Sequence, residues 1–273
     1  MGGYICGPVM MAAKSLKIPR ILHESNAFPG LAVKKLSSRV DAVLVAFEDA
    51  KQRLPKAKKV IVTGNPSKMK KINFSIEKKE KIKNELGINK DMPLVLVFGG
   101  SQGAKRINEV ITKLVLKKLN KTYQILLAAG PKQYDEIKNE LEKNGIEIQS
   151  LYNCKIVPYI YNMEEVLNCC DLAICRSGAM TITEMAIAGK PAIFVPLPNV
   201  SQNHQEYNAK VLASKGAAKI ILDPNLNEEV LSKEINEIIS NYKMMEQMGK
   251  IAESISTKNV EEHIYSEIKK LSN

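Results

Sequence analysis

Tryptophan is absent from the 273 residues, histidine occurs three times, and aromatic residues make up only 5% of the chain. A platform of rings for stacking bases is therefore not on offer. The five cysteines (Cys6, Cys154, Cys169, Cys170 and Cys175) are odd in number and form no Cys-x-x-Cys pair. Neither a disulfide framework nor a thiolate metal site is expected, and a reducing compartment fits better. No apolar run approaches the roughly 20 residues that cross a bilayer. No charged stretch followed by an apolar core marks a secretory signal.

What is plentiful is positive charge, and it is lopsided. Residues 1–90 carry 19 Lys and Arg against 7 Asp and Glu, a net of +12, while residues 91–273 carry 21 against 22, a net of −1. One part of the molecule is thus built to meet something anionic, either nucleic acid or an anionic membrane surface.

Short apolar runs alternate with longer amphipathic stretches, the pattern of βαβ units around a parallel sheet. Strands are predicted at 20–23, 42–46, 60–63, 94–98, 123–128, 147–151, 155–157, 171–175, 191–195 and 218–222. Helices are predicted near 7–16, 30–38 and 76–86, from the glycine loop at 99–103 to about 119, near 132–143, 162–169, 179–188 and 203–215, and almost throughout the tail from 227. The Lys-rich segment 67–90 reads as the connection between two units. The first unit, about 67 residues, is short beside the roughly 100–150 of a typical domain. The chain opens on Gly2-Gly3-Tyr4, already like a strand-to-helix loop, so this unit is expected to lack its N-terminal half.

Several segments carry residues suited to chemistry. Gly99-Gly100-Ser101-Gln102-Gly103-Ala104 follows a buried strand, where glycines let a backbone approach an anion and the next helix offers its N–H groups. It is neither G-x-G-x-x-G nor a Walker loop, and a plain tight turn accounts for it equally well. Cys175-Arg176-Ser177-Gly178-Ala179-Met180-Thr181-Ile182-Thr183-Glu184 is a second strand-to-helix join. Its small residues and hydroxyls suit a diphosphate, and Glu184 suits the two hydroxyls of a ribose. A capped helix is the plainer alternative. Two such loops together favour a nucleotide. The amide-rich segment 198–209 suits sugar hydroxyls, which both donate and accept. His23-Glu24-Ser25-Asn26 could supply an acid or base, although a lone His at a strand end is more often structural. Gly64-Asn65-Pro66 reads as a turn, with Lys68 just after it as a charge contact.

Taken in order, Gly2-Gly3-Tyr4, His23-Glu24-Ser25-Asn26, Gly64-Asn65-Pro66, the Gly99 to Ala104 loop, Cys175-Arg176-Ser177-Gly178-Ala179 and His204-Gln205-Glu206-Tyr207-Asn208-Ala209 closely resemble the MurG family of bacterial glycosyltransferases. The resemblance covers essentially the whole chain. It implies an α/β protein of GT-B fold, two Rossmann-like domains facing a cleft, the first incomplete. Residues 1–67 would be the acceptor and membrane-side domain, completed by a returning helix at about 257–273. Residues 68–256 would bind the UDP-sugar.

The resemblance further implies an inverting transfer of N-acetylglucosamine (GlcNAc) from UDP-GlcNAc to the 4-hydroxyl of the N-acetylmuramyl (MurNAc) residue of lipid I, giving lipid II for peptidoglycan. A related GT-B enzyme on UDP-GlcNAc, an epimerase or one subunit of a split transferase, is the alternative. Donor contacts carried over are Asn26, Lys68, Ser101, Ile160, Met163, Arg176, Ala179, Met180, Thr181, Ile182, Thr183, Glu184, Gln205 and Asn208, with Tyr4 on the acceptor side. Within that set Glu184 would take the ribose, the backbone of Ile160 the uracil edge, and Arg176 would orient its loop. The family's usual Gly-rich loop ending in His is not found here. The base is therefore unassigned between His23 and Glu24, and the chain alone is expected to be weak or inactive. Lys68 stands where the family usually has Arg, which keeps the charge but loses the fork, and Met180 replaces a more usual Leu. The lack of Asp-x-Asp fits a site without metal or cofactor. Partners implied are UDP-GlcNAc, lipid I, other cell-wall synthesis proteins and the anionic membrane. Nucleic acid is not among them. The place implied is the cytoplasmic face of the bacterial plasma membrane, held peripherally.

Overall fold

A computed structural model describes residues 5–100, 102–198 and 200–272. The first stretch of chain gives α1 (Cys6–Ser15), β1 (Ile21–Glu24), α2 (Leu31–Leu36), β2 (Ala42–Val45), α3 (Glu48–Lys51) and β3 (Val60–Val62). These strands form a parallel sheet in the order β1-β2-β3, with Ile21 opposite Ala42 and Val43 opposite Val60. Leu22, Val33, Leu36, Val43 and Val45 make its core.

A longer run follows: α4 (Ile76–Glu85), β4 (Leu94–Phe98), α5 (Lys105–Leu116), β5 (Gln124–Ala128), α6 (Pro131–Lys143), β6 (Cys154–Val157), α7 (Met163–Cys169), β7 (Leu172–Cys175), α8 (Ala179–Ala188), β8 (Ala192–Phe194), α9 (His204–Ala213), β9 (Ala218–Ile220), α10 (Glu228–Ile239), α11 (Tyr242–Ile255) and α12 (Val260–Ser272). Among the described residues the second sheet has six parallel strands in the order β6-β5-β4-β7-β8-β9.

Alternate residues of β4 point to opposite faces, as strand geometry requires. Leu94, Leu96 and Phe98 join one core with residues of α7, α8, α9 and α11. Val95 and Val97 join another with residues of α5, α6 and α10. Covered on both sides, β4 and β5 are buried throughout, which is why they read as unbroken apolar runs.

One expectation is corrected, one element is added and one reading is refined. Residues 147–151 are not a strand: β6 already occupies the free edge of β5. Ile148–Ser150 is instead a 3₁₀ turn that seats Ile148 in the core. The single turn α3 is too short to leave a periodic signal. The helical tail is three helices, divided where Asn241 caps α11 by accepting from the Met244 N–H and where Asn259 takes a positive φ of 54°.

The tail returns to the first sheet. Glu267 on α12 pairs with Lys59 at 2.7 Å. Around the start of α12 the chain lies against Gly64 (φ 84°), where a Cβ would stand 2.8 Å from side-chain atoms of both Thr257 and Val260. Only glycine permits that approach.

Candidate active site

In the larger sheet the chain runs through β4, β5 and β6 to one side, then returns to build β7, β8 and β9 on the other. The reversal falls between β4 and β7, paired from Val95 opposite Leu172 to Phe98 opposite Cys175. Loops leaving two such strands in opposite directions open a crevice at the carboxyl ends, where sheets of this kind receive ligands.

Both loops end on a bare helix start. Among the described residues, neither α5 nor α8 has an N-cap side chain bonded to its first N–H groups, and neither has an acidic residue in its first turn. The leading N–H groups and the positive dipole ends are thus left to an anion. In the first loop the Gly103 N–H donates to the Gly100 carbonyl at 3.0 Å. Gly103 has φ 73°, and a Cβ there would sit 1.9 Å from the Ala129 carbonyl oxygen. Ser101, and Tyr4 at the other end of the chain, lie outside the described residues.

Along α8, Ala179 and Thr181 are half-buried and Met180 is exposed. Ile182 is wholly buried in the core, together with Ile160 and the half-buried Met163. Thr183 is buried too, and its hydroxyl donates to the Ala179 carbonyl at 3.0 Å. Glu184 is half-buried, and desolvation pushes its carboxyl above the ordinary range. Such a carboxylate gains from donors that replace lost water, as a pair of sugar hydroxyls would.

Arg176 turns away from the helix start. Its Nη1 donates to the carbonyls of Val195 (3.1 Å) and Pro196 (3.2 Å) and to Asp223 Oδ1 (2.5 Å). It clamps the exits of β7 and β8 together, with its charge offset by Asp223. The sequence offered no signal for Asp223 beyond that of a turn residue. Gln205 adds a second stitch. Its Oε1 accepts from the N–H groups of Leu197 (2.9 Å) and Ser177 (3.2 Å), and the Ser177 hydroxyl donates to the Gln205 carbonyl (2.8 Å).

The two units meet here through amides. Asn208 is fully buried. Its Oδ1 accepts from the Ala27 N–H (2.9 Å), and its Nδ2 donates to Asn26 Oδ1 (3.1 Å) and the Ser177 carbonyl (3.2 Å). Phe28 stacks on Tyr207 nearby, with ring centroids 4.6 Å apart.

On the first unit, Glu24 is buried with both oxygens occupied. Oε1 accepts from the Asn26 N–H (2.9 Å) and Nδ2 (3.0 Å), and Oε2 from the Gly30 N–H (2.8 Å). It shapes the loop that carries Asn26. The Gly64 carbonyl can only accept, so His23 Nε2, 2.9 Å away, carries the hydrogen. Burial lowers the His23 pKa. Lys68 is exposed. A residue that sequence reasoning took for part of a turn, Asn65, is 2% exposed and bonded to both units.

Residues 94–264 match the Glycosyltransferase family 28 C-terminal domain, and residues 1–45 the N-terminal domain of the same family. The crystal structure of MurG from Acinetobacter baumannii superposes with a TM-score of 0.79 at 31% identity, covering 99% of this chain and 73% of that one. An Acetivibrio thermocellus protein named UDP-N-acetylglucosamine–N-acetylmuramyl-(pentapeptide) pyrophosphoryl-undecaprenol N-acetylglucosamine transferase is 41% identical over 269 residues, 98% of this chain and 71% of its own length.

The chain belongs to the MurG family.

The same-named protein of Caldanaerobacter subterraneus is 40% identical over 268 residues, 98% of this chain and 72% of that protein. A UDP-GlcNAc 2-epimerase from Neisseria meningitidis, at 18% identity and a TM-score of 0.62, shares the fold alone. As a MurG-family chain this is a glycosyltransferase of GT-B architecture, with Rossmann-like units facing a cleft. The crevice between β4 and β7 lies in the unit matched by the family's C-terminal domain.

Proposed function

We propose that this protein transfers GlcNAc from UDP-GlcNAc to the 4-hydroxyl of the MurNAc residue in lipid I, making lipid II. The observation that carries this reading is the pair of uncapped helix starts flanking the switch point, in a chain of this family. The diphosphate lies against those N–H groups, which stabilise the charge that grows as UDP leaves. Ser101 and Ala179, Met180 and Thr181 line it, and Lys68 adds its charge. Glu184 takes the ribose hydroxyls. Ile160 and Met163 border the uracil, with Ile182 packed behind them. Gln205 and Asn26 meet the sugar, with Asn208 holding Asn26 from behind. Arg176 orients the loops through Asp223. Glu24 spends its oxygens on three N–H groups, which supports an organising role over that of a base.

Residues 1–67 form the acceptor unit with the returning segment 257–273, and residues 68–256 form the donor unit. The Glu267–Lys59 pair and the fit of Thr257 and Val260 on Gly64 support that division. Attachment to the anionic cytoplasmic leaflet is supported by α1 and its flanks. There Ile5, Val9, Leu16 and Ile18 are 50–71% exposed beside the exposed Lys14 and Lys17, the mixture that lies in a membrane interface. No helix among the described residues is long and apolar enough to cross the bilayer.

The test is calorimetric titration with UDP-GlcNAc and UDP-glucose, followed by assay with lipid I for UDP release. Selective binding of UDP-GlcNAc and formation of lipid II are expected. A folded chain that ignores UDP-GlcNAc sinks the donor assignment.

A further inference from the structure

Asn65, in the Gly64-Asn65-Pro66 turn, takes no part in the reading above. Yet Asn65 sends its two Nδ2 hydrogens in opposite directions. One goes to the carbonyl of Ser25 (3.1 Å), the residue before Asn26, and the other to Thr183 Oγ1 on α8 (3.0 Å). Thr183 passes its own hydroxyl hydrogen to the carbonyl of Ala179, the first residue of α8. One amide thus ties the loop that presents Asn26 to the helix whose start faces the crevice. Its Oδ1 is buried without a hydrogen-bond partner. An orphaned acceptor is costly, so the side chain earns its place through its two donors. The mount is stiff. The Gly64 carbonyl accepts from His23, and Thr257 and Val260 leave Gly64 no room to move. The first sheet, α8 and the returning tail all converge on this dipeptide.

We infer that Asn65 is a positioning residue that holds Asn26 in register with the start of α8, so that one donor molecule has its sugar met by the first unit while its diphosphate is met by the second. The inference rests on the donor assignment above. Asn65 touches no substrate and acts through Ser25 and Thr183. Without it the second unit still holds the nucleotide, but the first unit's contribution to the sugar is lost.

The quantity to read is the ratio of the UDP dissociation constant to that of UDP-GlcNAc, measured calorimetrically on the full chain. Asn65→Ala and Thr183→Val are each expected to lower this ratio about fivefold, the weight of one hydrogen bond, and in Asn65→Ala UDP affinity itself stays within about twofold. The double variant should lose no more than either single one, because both break the same link. Thr183→Ser, which keeps the hydroxyl, should recover most of what Thr183→Val loses. If Asn65→Ala does not fold by circular dichroism, Thr183→Val and Asn65→Asp carry the test. Folded variants that keep the parent ratio, or losses that add in the double variant, overturn the inference alone. An unmodified chain that binds neither UDP nor UDP-GlcNAc overturns the donor assignment first.

Discussion

Every residue of β4 and β5 is buried, whereas all three residues of β3 are partly exposed and α1 buries none. The larger sheet has a core on each face. The smaller has one, and it lends Ala27, Ala46 and Phe47 to the larger unit's core while relying on α12 from the far end of the chain. Charge leans the same way but less sharply, at +7 for residues 1–67 with 257–273 and +4 for residues 68–256. The larger unit is a platform packed on both faces of its sheet. The smaller is a presenter, kept in place by polar ties at Glu24, Asn65 and Asn208 as much as by its own apolar packing.

The sharpest way to break the contrast is Gly103→Ala. The clash with the Ala129 carbonyl and the positive φ should cost at least about 3 kcal/mol. The loss should appear in denaturant midpoints and as faster hydrogen exchange in β4 and β5, with UDP binding abolished. Asp223→Ala comes next. It strands Arg176, whose side chain is only 13% exposed, and should cost about 2–3 kcal/mol, a little less than for a fully buried pair. Thermal unfolding and weakened UDP binding would report it, and an unchanged melt would mean that the clamp carries nothing.

Glu24→Gln should cost less, about 1–2 kcal/mol, and on the other side of the comparison. Exchange should quicken at β1 and the preference for UDP-GlcNAc over UDP should shrink, while affinity for UDP itself holds.

The smallest effect is set by pH, and it has opposite signs in the two units. Burial lowers the His23 pKa from its ordinary 6.5. As pH falls below 6.5 the unfolded chain takes up a proton that the folded one refuses, so the first unit loses stability. Glu184 is raised from 4.5 by burial, so the folded chain accepts its proton sooner and the second unit gains in relative stability as pH falls through the raised value. Hydrogen exchange of β1 and β7 peptides from pH 7 to 5 should diverge. His23→Asn should flatten the first trend and leave the second.

The platform was far more legible in the sequence than the presenter. Strands covered on both faces give continuous apolar runs, and the glycines at 99–103 and 178 punctuate them, so β4, β5, β7 and α8 were read nearly to the residue. The run at 147–151 failed because a buried apolar pair looks the same in a turn as in a strand. At the candidate site, Glu184 could be picked out from the segment around it. Partnerships could not. Asp223 stands 47 residues from Arg176, and Thr183 stands 118 from Asn65, so nothing in either neighbourhood announces the other. Glu24 looked like an acid because its three N–H donors exist only once its loop has closed.

The strand order also dictates how this protein emerges from a ribosome. β4 is laid down at the centre of its sheet and β5 and β6 are added outward, so half of that sheet can assemble while the crevice beside β4 has no second wall. The wall arrives only with β7 and α8, some eighty residues later. The partner for Lys59 is later still, 208 residues downstream at Glu267. Closing so long a loop is entropically expensive and slow. The first unit is made long before α12 reaches it, so the surface that α12 covers waits open for that whole interval. A nascent chain halted before α12 is therefore the form of this protein most in need of a chaperone.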